Sequence, residues 1–220
     1  MRVIITREVA DRFPDLRVLT TSLEGVRVQE RSEPLEAFKE EIYREVRRRY
    51  TLEGLKDEPR LRAYRDFFWR IGIDPTKIRP AAEALIRRIL GGRPLPTINT
   101  LVDAYNLASV TSRIALALFD LDRLVGSDLV MRFAVAGEVF QGIGMKEPMA
   151  LKGGEVVLAD GDRLTAIYPY RDADYSKVTL ATSRVLMVVC GVPGVGWEAL
   201  EEGRQVAVEY VTRFCGGREL

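Results

Sequence analysis

The chain has 220 residues, with 33 Lys/Arg against 32 Asp/Glu, 47% apolar residues, two cysteines and no histidine. That length and composition suit a globular fold with a substantial core, and no apolar run approaches the roughly 18 residues of a membrane span. The missing imidazole excludes Ser-His-Asp and Cys-His nucleophile systems and histidine-ligated metals, and Cys190 and Cys215 are too far apart for a zinc ribbon or redox pair.

From the N-terminus, RVII (2–5) and LRVLT (16–20) read as short strands flanking a helix at 7–13, and the first stretch, MRVIITREVADRF, lacks a signal-peptide core. Residues 34–49 and 58–71 read as amphipathic helices. A third helix lies in IDPTKIRPAAEALIRRILGG, with Pro80 at its start and Gly91-Gly92 after its end. Charge is uneven: residues 1–93 carry 21 Lys/Arg against 16 Asp/Glu, and residues 94–220 carry 12 against 16. The arginines gather at 44, 47, 48 and 49, at 60, 62 and 65, and at 87 and 88. Such groups either neutralise phosphates or pair with acids one turn away on solvated helix faces.

The only asparagines, Asn99 and Asn106, fall in INTLVDAYN (98–106). On a helix, Asn99, Asp103 and Asn106 form one polar stripe on a rod that is otherwise nearly all apolar. Buried amides and acids need hydrogen bonds or a polar cavity. The stripe is therefore either a ligand site or a set of locks, with Asn99 as an N-cap. After residue 112 the pattern changes to short strands at 114–119, 128–134, 155–159, 163–169 and 184–190, and an amphipathic helix at 197–214 follows, closed by Gly216-Gly217. Helices first and strands afterwards predict an α+β fold, with a mainly helical part at 1–93 packed on a core at 94–220. In YPYRDADYSKVT (168–179), Tyr168, Tyr170, Arg171, Asp172 and Lys177 concentrate at a strand exit, where ligand groups commonly sit. GEVFQGIG (137–144) has no P-loop lysine and reads as a glycine-assisted hairpin or bulge.

VDAYN (102–106), LFDLDRLVG (118–126), RFAVAGE (132–138), EVVLAD (155–160) and AIYPYRDADYSKVTLAT (166–182) resemble, in order, the B3/B4 domain of the phenylalanyl-tRNA synthetase beta subunit. The resemblance covers roughly residues 95–192 and includes Ser176, Val178, Thr179 and Thr182 of an S-x-V-T-x-x-T pattern. It implies a sandwich of sheets covered by helices, in a free-standing cytoplasmic protein that needs no cofactor or metal. In the synthetase this domain hydrolyses tyrosine wrongly attached to the phenylalanine tRNA, editing what the first selection step admits. The family histidine falls at Ala117 here, and the editing-pocket glutamate near Val188.

The resemblance thus implies a tRNA or aminoacyl-tRNA partner and trans-editing. Asn99, Asn106, Asp103 and Asp172 would meet the aminoacyl group, with Arg171 and Lys177 on terminal phosphates. A non-catalytic RNA-binding module and a receptor for a free amino acid or small metabolite remain open beside it. Scarce amides and abundant Arg and Glu point to a thermophilic source.

Overall fold

A computed structural model describes all 220 residues. The order is β1 (Val3–Ile5), α1 (Arg7–Arg12), β2 (Val18–Glu24), α2 (Glu33–Arg49), α3 (Pro59–Arg70), α4 (Ala81–Leu90), α5 (Thr100–Ser112), β3 (Ala115–Asp120) and β4 (Leu129–Phe133). Then come β5 (Val139–Phe140), β6 (Met149–Ala150), β7 (Val156–Asp160), β8 (Arg163–Ile167), β9 (Arg171–Asp172), β10 (Arg184–Cys190), α6 (Trp197–Cys215) and β11 (Arg218–Glu219). The fold is α+β, as the sequence pattern predicts. No helix is long and apolar enough to cross a membrane.

Three sheets form: a five-stranded one in the order β1-β4-β7-β8-β9, a four-stranded one in the order β11-β2-β10-β3, and the β5-β6 ribbon. β1 runs parallel to β4, and every other pair is antiparallel. β2 extends four residues beyond the expected LRVLT because its far half is paired on both sides, by β10 and by β11. Strands β3, β7 and β10 are buried along almost their whole length, as continuous apolar runs demand, although β3 stands at the edge of its sheet. Helices α5 and α6 pack closely together, and the main core of 49 buried residues lies between the sheets and the helices.

The motifs that carried the resemblance hold turns in place. The Arg132 guanidinium donates to both oxygens of Glu138, at 2.9 and 2.6 Å, and Glu138 also accepts from the Val135 N–H at 2.6 Å. The Asp160 carboxylate accepts from the backbone N–H groups of Val125 and Gly126, at 2.9 and 2.7 Å. Thr182 donates its hydroxyl to the buried Asp120 carboxylate at 2.6 Å and accepts from the Thr179 N–H at 2.8 Å. Thr182→Val keeps the shape and removes both bonds, so urea unfolding should show a loss of about 2–3 kcal/mol, the range for hydrogen bonds to charged groups. Thr182→Ser should stay within about 1 kcal/mol of the parent; equal losses in the two variants would show that packing, not the hydroxyl, matters there.

Candidate functional site

Strand alternation places one row of side chains across the five-stranded sheet on a single face. Leu158 pairs with Ala166, and Ala166 pairs with Asp172. All three line a cavity of about 180 Å³, together with Leu116, Ala117 and Cys190 from the second sheet. Tyr105 and Asn106 of α5, Ala81 at the start of α4 and the Tyr168–Arg171 segment complete the wall. β9 owes its position to the turn after β8: the Tyr170 N–H donates to the Ile167 carbonyl at 2.9 Å, and Arg171 pairs with Ile167. The Tyr168 hydroxyl donates to the Gly191 carbonyl at 2.5 Å, tying the turn to the end of β10. The Tyr168–Pro169 peptide bond is cis.

Five of the eight residues singled out in the sequence converge here: Asn106, Tyr168, Tyr170, Arg171 and Asp172. The other three do not, and each departure has a physical cause. Asn99 is the N-cap of α5, its side-chain oxygen accepting from the Val102 N–H at 2.9 Å. Asp103, 3% exposed, binds the buried Lys39 ammonium at 2.7 Å and accepts from the Ile98 N–H at 3.0 Å. Lys177 lies on the surface, paired with Asp174 at 2.8 Å. The polar stripe is thus split along its length. Seven residues, about 10 Å of helix, carry it from a structural cap at Asn99 to the cavity at Asn106. The Asn106 carboxamide makes no hydrogen bond within the chain.

Asp172 is a second unpartnered polar group of the wall. Its carboxylate accepts no hydrogen bond from the chain, and burial pushes its pKa up to about 7. That burial, together with the Asp172 charge, raises the pKa of Tyr105, and the same two causes keep the Cys190 thiol protonated. Cys190 is therefore wall rather than nucleophile. The Arg171 guanidinium has no carboxylate partner. Its stem lies across Gly142, where an added Cβ would stand 2.6 Å from the Arg171 Cδ, so only glycine admits it. The glycine-rich 137–144 stretch accordingly forms part of the β5-β6 ribbon and a bridge from Gly142 to Ala173. α4 begins at the rim with Ala81 and has no side-chain cap, which leaves the positive end of its dipole at the cavity edge.

Sequence reasoning missed the wall residues Ala81, Tyr105, Leu116, Leu158, Ala166 and Cys190, which carry no chemical signal until the fold brings them together. Ala117, where the resemblance puts a histidine, lines the cavity. Val188, its cross-strand partner, is fully buried. No group of three or more His, Cys, Asp or Glu residues is placed to hold a metal ion.

Comparison with known proteins follows this geometry. The sequence model of the B3/4 domain matches residues 63–216. The phenylalanine–tRNA ligase beta subunit of Anaeromyxobacter dehalogenans is 31% identical over 115 residues, covering 52% of this chain and 14% of the relative. That of Protochlamydia amoebophila is 30% identical over 93 residues, covering 42% and 12%. The chain therefore spans about an eighth of the length of these curated relatives. An N-terminal fragment of the phenylalanyl-tRNA synthetase beta subunit from Pyrococcus horikoshii superposes with a TM-score of 0.53 at 14% identity, over 99% of this chain and 50% of the fragment, a likeness of fold. With 63–216 matched inside a fold of this type, the chain belongs to the B3/4 domain family and is a tRNA-synthetase-related protein.

Proposed function

We propose that the cavity receives the aminoacyl end of an aminoacyl-tRNA and that the protein hydrolyses the ester bond. The observation that carries this reading is the pair formed by Asn106 and Asp172, two polar side chains without partners in one small, mostly apolar cavity. At about 180 Å³ it is smaller than the roughly 300–1,000 Å³ of sites for drug-sized ligands, so an amino-acid-sized group fits and a nucleotide chain stays outside. Asp172 accepts hydrogen bonds from the α-ammonium, whose charge draws the carboxyl back toward its ionised form. Asn106 offers both a donor and an acceptor to the ester carbonyl and the neighbouring ribose hydroxyl. Arg171, at the mouth, meets the terminal phosphate.

In the reaction, water adds to the ester carbonyl, the acyl–oxygen bond to the ribose breaks, and the ribose oxygen takes up a proton. Without histidine, the proton moves through the substrate's vicinal hydroxyl or through ordered water. Incubation with a panel of correctly and wrongly charged tRNAs tests the proposal. Deacylation of at least one pair should be accelerated, and Asn106→Ala should slow it about 10–100-fold, the cost of one positioned hydrogen bond in a water-poor site. No acceleration with any pair removes the reading.

A second reading, RNA binding without hydrolysis, draws support from Ala117 and Val188, neither of which has a titratable group. Salt-dependent tRNA binding with no deacylation would favour it. A receptor for a free amino acid would instead show stabilisation by that amino acid alone in a thermal-shift screen.

A further inference from the structure

The sequence shows three arginine groups, and the structure separates them. Arg60 pairs with Glu202, Arg62 with Asp66, and Arg65 and Arg87 both bind the fully buried Glu83 carboxylate. These are fixed in the fold or on solvated faces. Arg44, Arg47, Arg48, Arg88 and Arg93 have no carboxylate within ion-pair distance.

Contacts bring Arg47, Arg88 and the loop that carries Arg93 to one place, and Arg44 and Arg48 continue the surface along α2. The Arg47 guanidinium stands 5.9 Å from the Tyr43 ring centroid, and the Tyr43 hydroxyl accepts from the Leu95 N–H at 2.9 Å. Arg88 donates to the Pro94 carbonyl at 2.7 Å, so the end of α2, the end of α4 and the 91–95 loop meet. At about 100° per residue, Arg44, Arg47 and Arg48 share the solvent-facing arc of α2. Glu40 lies among them and Glu41 lies to one side of Arg48, so the arc carries three arginines against two carboxylates before Arg88 and Arg93 add to it. Glu45 belongs to the flank toward α6, where its charge acts on Tyr210.

This cluster sits at the C-terminal end of α4, and the cavity sits at its N-terminal end. Ten residues of helix, about 15 Å, separate the two. A nucleic-acid strand covers that span in about four nucleotides at roughly 3.4 Å per step.

We propose that the Arg44–Arg47–Arg48–Arg88–Arg93 cluster docks the duplex stem of an RNA whose unpaired 3′ end runs along α4 to the cavity. The inference rests on the aminoacyl-tRNA reading for the cavity but concerns a different surface. Arginine is suited to this role because its planar fork stays charged and pairs with phosphate in two-point fashion. Stem recognition through the backbone is independent of sequence, so the cluster sets where the RNA lies and leaves the choice of aminoacyl group to the cavity.

The test uses the full chain and three probes: a hairpin RNA with four unpaired 3′ nucleotides, the same hairpin with a blunt end, and the four-nucleotide strand alone. Binding is measured across a potassium chloride series for the parent, for R44Q/R47Q/R93Q and for R44K/R47K/R93K. The glutamine variant should lose about 2.7 from the log–log salt slope for both hairpins and leave the short strand unaffected, since each of three phosphate contacts contributes about 0.9. The lysine variant should keep the slope. An unchanged slope in the glutamine variant overturns the proposal, and so does an equal loss for the short strand. Competition by anionic lipid vesicles or poly-glutamate as strong as by hairpin overturns it too, by showing a generic anion surface. Deacylation is read in parallel. Hydrolysis with an unchanged slope sinks the docking surface alone, whereas a changed slope without hydrolysis sinks the cavity reading alone.

Discussion

Asp103→Ala should destabilise the protein by about 3 kcal/mol, the low end of the usual result of breaking a buried ion pair, because Glu36 still holds the ammonium. Lys39 and Asp103 are each 3% exposed, so water does not replace the lost carboxylate. Burial acts to lower the Lys39 pKa, and the hydrogen bonds to Asp103 and Glu36 overcome it, leaving the ammonium above its usual value. Removing Asp103 leaves the 2.6 Å contact with Glu36 and the 3.1 Å contact with the Thr97 hydroxyl. It also orphans the Ile98 N–H at the start of α5. Chemical denaturation measures the loss, and K39M/D103L should recover most of it, because replacing both charges with apolar groups is commonly near neutral. Incomplete recovery is expected from the Ile98 N–H. A loss below about 1 kcal/mol for Asp103→Ala would reopen a ligand role for this residue.

Asp172→Asn should move stability and function in opposite directions. Burial raises the Asp172 pKa to about 7 with no compensating partner. Below about pH 3, the folded and unfolded chains both hold the proton and the group costs little. As pH rises toward 7, the unfolded chain releases its proton and the folded chain retains it, so stability falls across that window and stays reduced above it. The asparagine variant has no such titration. It should be more stable than the parent at pH 8, by about 2–4 kcal/mol, with the difference shrinking to nothing near pH 3. In the same variant deacylation should fall by at least about 100-fold, because the α-ammonium loses its charged partner in a site poor in water. Melting curves at the two pH values and single-turnover deacylation measure the two halves. A variant that is equally stable at both pH values and fully active would deny Asp172 its place.

How much of this was legible in the sequence depended on the range of the signal. Helices α2, α3, α4, α5 and α6 announced themselves through periodicity and through Pro80, Asn99 and Gly216, all local signals. The two-residue strands β5, β6, β9 and β11 are too short to carry a periodic pattern, and only their pairing defines them, across a nearby turn for β5, β6 and β9 and with distant β2 for β11. The motif residues Arg132, Glu138, Asp120, Thr182 and Asp160 announce the family because they hold its turns, and for that same reason they are silent about chemistry. At the site, Asn106 and the 168–172 segment stood out by composition. Asn99 and Asp103 carried an equal signal, because a buried lock and a ligand group need the same side chains. Only the partners on Val102, Ile98 and Lys39 separate the two.

The strand β2 has a consequence for anyone shortening this protein. It is hydrogen-bonded between β10 and β11, and it lies wholly outside the 63–216 stretch by which the family is found. A fragment cut to that stretch would uncover one whole flank of β10, from Arg184 to Cys190, whose interior residues are among the most apolar in the molecule. Such a bare flank is a template for sticking to other chains. The excised piece should precipitate or assemble into clumps, and restoring residues 1–62, which bring back β2 and the buried face of α2, should cure it. The unit by which the family is detected is therefore smaller than the unit that folds.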